Sequence, residues 1–355
     1  MANAGRFRKL LRSKTITLVA ILFVIVLFFW YVSPKHSYLS VRNITSILNS
    51  MVLYILFAVG VAMPILLGEF DLSPGYVGTA AGALMAKLLT EVGVQWYYVV
   101  VLCLLLGIAF GLLNAVLINK FRIQSFIATL AVGSFLAKGV ALIVSDGRPI
   151  NIDDSVIVWV GTYKIGGIVP VAVVISLVVI LIYGIILAKT KFGRSIYLCG
   201  GGRQAARLAG LNPERLSYIL FANSGMLGAL AGMIFAARLK TGDLTGTNSY
   251  SFPAVTAVIF GGISFGGGSG NMLGCFLGLL IINGFNNGLT IMRVTSYWQD
   301  VASGILLLLA LTLDFIRNRR PIGTDTPRAR RRDLGGGVEK VKETEQAGGR
   351  IGTIS

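Results

Sequence analysis

Long apolar runs broken by short polar stretches recur along the chain from Thr15 to Ile316. A hydrocarbon layer about 30 Å thick takes about 20 apolar residues to cross as a helix. Windows of that kind can be placed about ten times, at 15–33, 47–67, 72–90, 96–118, 125–144, 169–188, 217–238, 254–264, 271–290 and 298–316. The eighth is too short to cross alone. The pattern predicts an all-α polytopic membrane protein of about ten transmembrane helices, one or more of them broken or halved. It divides the chain into a basic N-terminus (1–14), a transmembrane domain (15–316) containing a charged loop at 189–216, and a polar tail (317–355) expected to be disordered.

The charge distribution fixes an expected orientation. Lysine and arginine outnumber the acids 32 to 15, but they gather at helix ends, which is the pattern of topology control and not of nucleic-acid binding. Both termini are expected in the cytoplasm, with Lys120, Arg122, Lys189, Lys191, Arg194, Arg203, Arg207 and Arg215 on the same side. The first apolar run lacks a small-residue cleavage site after Trp30 and reads as an uncleaved anchor. A mean hydropathy of +0.77 leaves no room for a soluble fold. Three scattered cysteines and one histidine offer neither disulfide framework nor metal spacing, so no metal and no cofactor are expected.

Close helix packing in lipid relies on small residues four apart. Gly78 and Gly82, Gly107 and Gly111, Gly228 and Gly232, and Gly274 and Gly278 form such pairs inside predicted spans. Irregular backbone at membrane depth persists only against protein or water, which makes three polar interruptions informative. They are LLGEFDLSPG around Asp71, the segment from Phe252 to Gly270, and SYWQDVASG. Asp71 admits two readings, a cap on the following helix or a contact with a polar solute. The loop at 189–216 holds a short predicted helix, Gln204 to Leu211, closed by Gly210 and Asn212-Pro213. Ala205, Leu208 and Ala209 can share its face beside Arg203 and Arg207, a shape suited to a groove on a partner protein or to an anionic membrane lipid surface.

Five segments in order resemble the permeases of ribose-type and related monosaccharide importers, a family of ATP-binding-cassette transporters. GEFDLSPG is similar to the family's GGIDLSVG, GLLNAVLINKFRIQSFIATL to its Gly-Asn and Phe-Ile-x-Thr-Leu segment, and FGRSIYLCGGGRQAARLAGLNPERLSY to its coupling region. FGGISFGGGSGNMLGCFLG resembles the glycine-rich repeat, and NGL with YWQDVASGILLLLAL the last span. The resemblance implies that Ala205 to Gly210, together with Arg203 and Gln204, seats in a groove of a separate cytoplasmic ATPase. It implies as further partners a second permease copy or paralogue and an extracytoplasmic solute-binding protein delivering a sugar-like small molecule. The expected translocation pathway runs past Asp71, Ser73, Gly75, Asn114, Thr129, Gly261, Gly262 and Ser264.

The sequence also departs from the family. Glu69 stands where Gly is common, Pro74 replaces Val, Gln124-Ser125 replaces a Pro-containing pair, and Cys275 sits where Thr is common. No GxxxxGK[ST] occurs, so ATP must be hydrolysed by another chain and this one is not expected to be an enzyme. An ion-coupled secondary transporter would use ionisable residues inside spans, for which Lys87, Lys138, Glu69 and Asp71 are the candidates. A membrane-embedded transferase would show clustered His, Cys or carboxylates, and the chain has no such constellation in sequence.

Overall fold

The computed structural model describes residues 14–295 together with 297–299, 301, 302, 304, 305, 308 and 312. The basic N-terminus, most of the span predicted at 298–316, and the tail lie outside the described residues.

Among the described residues up to 295, twelve helices occur in chain order: α1 (Lys14–Val32), α2 (Val41–Leu66), α3 (Pro74–Thr90), α4 (Trp96–Asn119), α5 (Ser125–Ser145), α6 (Ser155–Thr162), α7 (Val171–Lys189), α8 (Lys191–Gly201), α9 (Arg203–Leu208), α10 (Pro213–Leu239), α11 (Ser251–Phe260) and α12 (Met272–Ile291). Among the described residues strand is confined to two antiparallel pairings of two residues each, Ile150–Asn151 with Thr241–Gly242 and Lys164–Ile165 with Val169–Pro170. Seven helices, α1, α2, α4, α5, α7, α10 and α12, are long and apolar enough to cross a membrane. The predicted count of ten is not reached among the described residues. The window at 72–90 becomes α3, 17 residues long and mostly buried up to Ala86, and the short window at 254–264 becomes the ten-residue α11.

Local chemistry sets several of these boundaries. Asn212 accepts the Arg215 amide at 2.9 Å with Pro213 at the first helical position, so α10 starts at Pro213, ahead of the predicted window at 217–238. Asn271 does the same for α12 through the Gly274 amide at 2.7 Å, and Thr190 for α8 through Gly193 at 3.0 Å.

Helix α10 runs through the middle of the bundle and meets α2, α3 and α4 along its small residues. A methyl group on Gly232 would overlap the Gly78 backbone, and one on Gly225 would overlap Gly107. Gly111 lies against Phe221 in the same manner. All four predicted glycine pairs are spent on such approaches, the fourth bringing α12 against α11 at Gly261 and Ala257. Lipid gives helices no hydrophobic reason to associate, so backbone-to-backbone dispersion and weak Cα–H contacts carry the packing here.

Two returning segments interrupt the bundle. The chain leaves α2 at Leu66, runs without helix from Leu67 to Ser73, and starts α3 at Pro74, which faces Gly228 near the middle of α10. From the other end of α10 it runs back over 240–250 to start α11. Tyr250 anchors this second return among the rings of Tyr54, Phe57 and Phe235, with centroids 5.3 to 6.1 Å away.

Candidate functional site

An unhelical segment inside a membrane protein needs partners for its amides. Those of 67–73 are supplied almost one by one. Glu69 N donates to Pro64 O at 2.9 Å, Phe70 N to Ser125 Oγ at 2.9 Å, Leu72 N to Thr129 Oγ1 at 3.2 Å, and Ser73 N to Asp71 Oδ1 at 2.9 Å. The match between Ser125/Thr129 and Phe70/Leu72 arises from geometry. Four residues of helix rise about 6 Å, and two residues of extended chain advance about 6.6 Å, so two hydroxyls four apart meet two amides two apart.

Asp71 lies at the centre of this segment and is wholly buried. Its Oδ1 also accepts the Ser73 hydroxyl at 2.7 Å, and the Ser73 oxygen in turn accepts Asn114 Nδ2 at 2.8 Å. The Oδ1 contacts of Asp71 form the turn that precedes α3, while its Oδ2 is buried with no hydrogen-bond partner among the described residues. The sequence-derived candidates Asp71, Ser73, Asn114 and Thr129 therefore come together in one buried polar node tying 67–73 to α4 and α5.

Gly75 points elsewhere. Its amide donates to Ser251 Oγ at 3.0 Å and its carbonyl accepts Thr247 Oγ1 at 2.7 Å, while Thr79 Oγ1 donates to Asn248 Oδ1 at 2.7 Å. The starts of α3 and α11, the two helices that begin inside the bundle, are thus stitched to each other. Thr247, Asn248 and Ser251 do not figure among the sequence-derived site residues. Their signal was the polar run TGDLTGTNSYS between two apolar windows, just ahead of Pro253. Gly261 lies apart from the node, packed on Gly274, and Gly262 follows it into the loop. Ser264, also buried, closes the glycine-rich loop through its amide to Ser269 O at 2.9 Å.

The second half of the site is at the end of the molecule where α2 stops. Here Gly268 N donates to Leu66 O at 2.8 Å, Gly267 packs on Gly68, and Gly268 packs on Gly201. Three stretches remote in sequence, GEFD, CGGG and FGGG, form one seam. Phe70 and Phe265 stack beside it with centroids 4.4 Å apart.

Helix α9 stands on this seam. It spans six residues, shorter than the predicted Gln204 to Leu211, and Gly210 follows in a left-handed turn at φ +79°. Ala206 turns inward and is buried, while Ala205, Ala209 and the flanking Gln204 are exposed and Leu208 is 91% exposed. Arg203 pairs with the buried Glu69, whose other oxygen accepts Ser217 Oγ at 2.7 Å. Arg207 pairs with Glu214 at the start of α10. A polar pocket of about 560 Å³ opens between these pairs and the α4–α5 turn, lined by Arg122, Gln124 and Asn119 among others.

The opposite end is mixed in charge. Lys87 reaches Glu91 at 3.9 Å and Asp146 at 3.5 Å, and Arg148 reaches Glu91 at 3.6 Å. Among the groups that an ion-coupled carrier would need, Lys87, Glu69 and Asp71 are accordingly engaged in end-of-helix pairs or in the turn. Asp154, in the loop near that end, caps α6 through the Val156 and Ile157 amides.

A bundle of apolar crossing helices with two inward-starting helices and an exposed short helix at one end defines a polytopic membrane protein built as a transport component. Residues 43–311 match the family described as the branched-chain amino acid transport system permease component. The chain is 35% identical over 314 residues to the ribose import permease protein RbsC of Haemophilus influenzae, covering 87% of this chain and 94% of that protein. It is 33% identical over 309 residues to RbsC of Escherichia coli K12, covering 86% and 94%. It is also 32% identical over 314 residues to the fructose import permease protein FruG of Bifidobacterium longum, covering 86% and 92%. The chain belongs to this family of permease components and is a transport subunit, not an enzyme.

Proposed function

We propose that the chain is the membrane-spanning permease subunit of an ATP-driven bacterial importer for a monosaccharide or a similar small polar solute. Family membership and the names of the relatives support this reading. The single observation that carries the mechanism is Leu208, a large apolar side chain 91% exposed on a short helix between Ala205 and Ala209. An exposed leucine on a small-residue face is suited to a groove in a partner, and the partner is a separate ATPase subunit.

The basic end, with Arg122, Arg203 and Arg207, faces the cytoplasm, and both termini lie on that side of the inner membrane. In this reading residues 15–316 form the transmembrane domain, 189–216 the coupling loop, and 1–14 and 317–355 cytoplasmic extensions. A second permease copy or paralogue completes the pathway, and a solute-binding protein feeds it from outside. The node of Asp71, Ser73, Asn114 and Thr129 shapes the path from behind, because all four are buried. The solute passes over the outer face of the returning segments, where Phe252 and Phe265 are half exposed. ATP binding and solute delivery each favour one arrangement of these segments, and a ligand shifts such an equilibrium only by its differential affinity.

Leu208→Asp tests the assignment. The variant is expected to insert at normal levels yet fail to retain the ATPase on purification and fail to support uptake. Normal uptake by Leu208→Asp, or uptake that tracks an ion gradient without ATP, overturns the reading.

A further inference from the structure

The node and the coupling helix are joined by one ion pair. Arg203 is the first residue of α9, and Glu69 is the third residue beyond the end of α2. The pair is lopsided, with the Glu69 side chain 4% exposed and that of Arg203 42% exposed. A carboxylate held out of water is costly to leave unpaired, so the buried partner must move with the accessible one. Glu69 is also held to Ser217 of α10 at 2.7 Å, which places it where α9, α10 and the returning segment meet.

The next residues along the chain make this contact consequential. Phe70 stacks on Phe265 of the glycine-rich loop, and Asp71 organises Ser73 and the start of α3. A displacement of α9 delivered to Glu69 therefore reaches the interior node within two residues. Besides the Tyr197 hydroxyl, which donates to Gly270 O at 2.9 Å, the seam contacts of the glycine runs are backbone on backbone, Gly200 to Leu66, Gly201 to Gly268 and Gly68 to Gly267, and they carry no charge. Glu69 and Arg203 are the charged pair that spans this seam.

We propose that Glu69 and Arg203 are positioning residues, the ionic link through which the nucleotide state of the ATPase sets the conformation of segment 67–73. This link rests on the proposed coupling role of α9. Arg207 and Glu214 play a different part, fixing α9 to its own successor helix.

The test uses the full chain in complex with its ATPase in lipid nanodiscs and needs no transported solute. The native cysteines, Cys103, Cys199 and Cys275, are buried, so a cysteine at Gly266 reports alone. Gly266 is exposed, has open space for a side chain, and its carbonyl lies against Gly68. The rate of maleimide labelling of Gly266→Cys is measured without nucleotide and with ATP trapped by vanadate. A change of about fivefold or more is expected in the Gly266→Cys parent. It is expected to vanish on adding Glu69→Gln or Arg203→Gln and to survive Arg203→Lys. Should Glu69→Gln fail to accumulate, the half-exposed Arg203 carries the comparison, glutamine against lysine. Nucleotide-independent labelling in the parent complex, or a response that persists in Arg203→Gln, overturns the link while leaving the permease assignment intact. Failure of any nucleotide-hydrolysing subunit to copurify overturns the permease assignment instead.

Discussion

Two hydroxyls on α5 show how single residues hold an unhelical segment inside a membrane protein. Ser125 and Thr129 take the amides of Phe70 and Leu72, and the second pair is wholly buried, with no water to turn to. Removing one leaves a buried donor unsatisfied, at a cost of about 1–3 kcal/mol. Thr129→Val is thus expected to lower thermal stability in detergent measurably, while Thr129→Ser leaves it near the parent value. A methyl at Gly232 acts by a different route, pushing α10 off α3 where the two backbones touch. Gly232→Ala is expected to destabilise by about 1–3 kcal/mol, the usual cost of overpacking, and a thermal unfolding curve reads it. At this scale the sequence was partly legible. Asp71 ahead of Ser-Pro announced a turn, and the glycine pairs announced close packing. The partner of Glu69 was not announced, because Arg203 lies 134 residues away and no local pattern relates them.

Elements were legible where their signals are local. The apolar windows found every long helix among the described residues, though the window at 217–238 missed the opening turn of α10 that the Asn212 cap and Pro213 begin. α9 was found but overextended, since Ala209 and Gly210 leave the helix that Arg203 opens. The joining of α3 to α11 was invisible for the opposite reason, that the Gly75 amide and Ser251 hydroxyl are 176 residues apart. Ser251→Ala tests that joint. It orphans the Gly75 amide and is expected to cost about 1–3 kcal/mol and to slow transport, whereas Ser251→Thr keeps the donor satisfied. Ala206 illustrates why helix faces need a structure. Enlarging it disturbs the chain's own core, so the partner-facing substitution belongs at Leu208.

For the molecule as a whole, the two ends differ in charge, and that difference predicts a topology. With all three native cysteines buried, single cysteines at exposed Leu208 and Ile165 report which end faces which compartment. A membrane-impermeant maleimide is expected to label Ile165→Cys in spheroplasts, in which the outer face of the inner membrane is accessible. Leu208→Cys is expected to label after the inner membrane is opened. Labelling in the reverse order shows that the short helix faces outward and ends the proposed coupling scheme. The mean hydropathy and basic loops carried this scale of the reading from the sequence alone, because insertion responds to summed composition and not to pairwise contacts.

The junction of Leu66, Gly200, Gly201, Gly267 and Gly268 bears on how the molecule can move. Interlocked side chains resist sliding, because each must leave its hole before its neighbours can pass. Bare peptide planes have no such teeth, so sliding there is opposed chiefly by the Gly268 amide on Leu66 O at 2.8 Å and the Tyr197 hydroxyl on Gly270 O at 2.9 Å. In the proposed coupling scheme the place where the ATPase grips is thereby also a slip plane, and a side chain at Gly200, where a methyl would overlap the Leu66 carbonyl, acts as a brake.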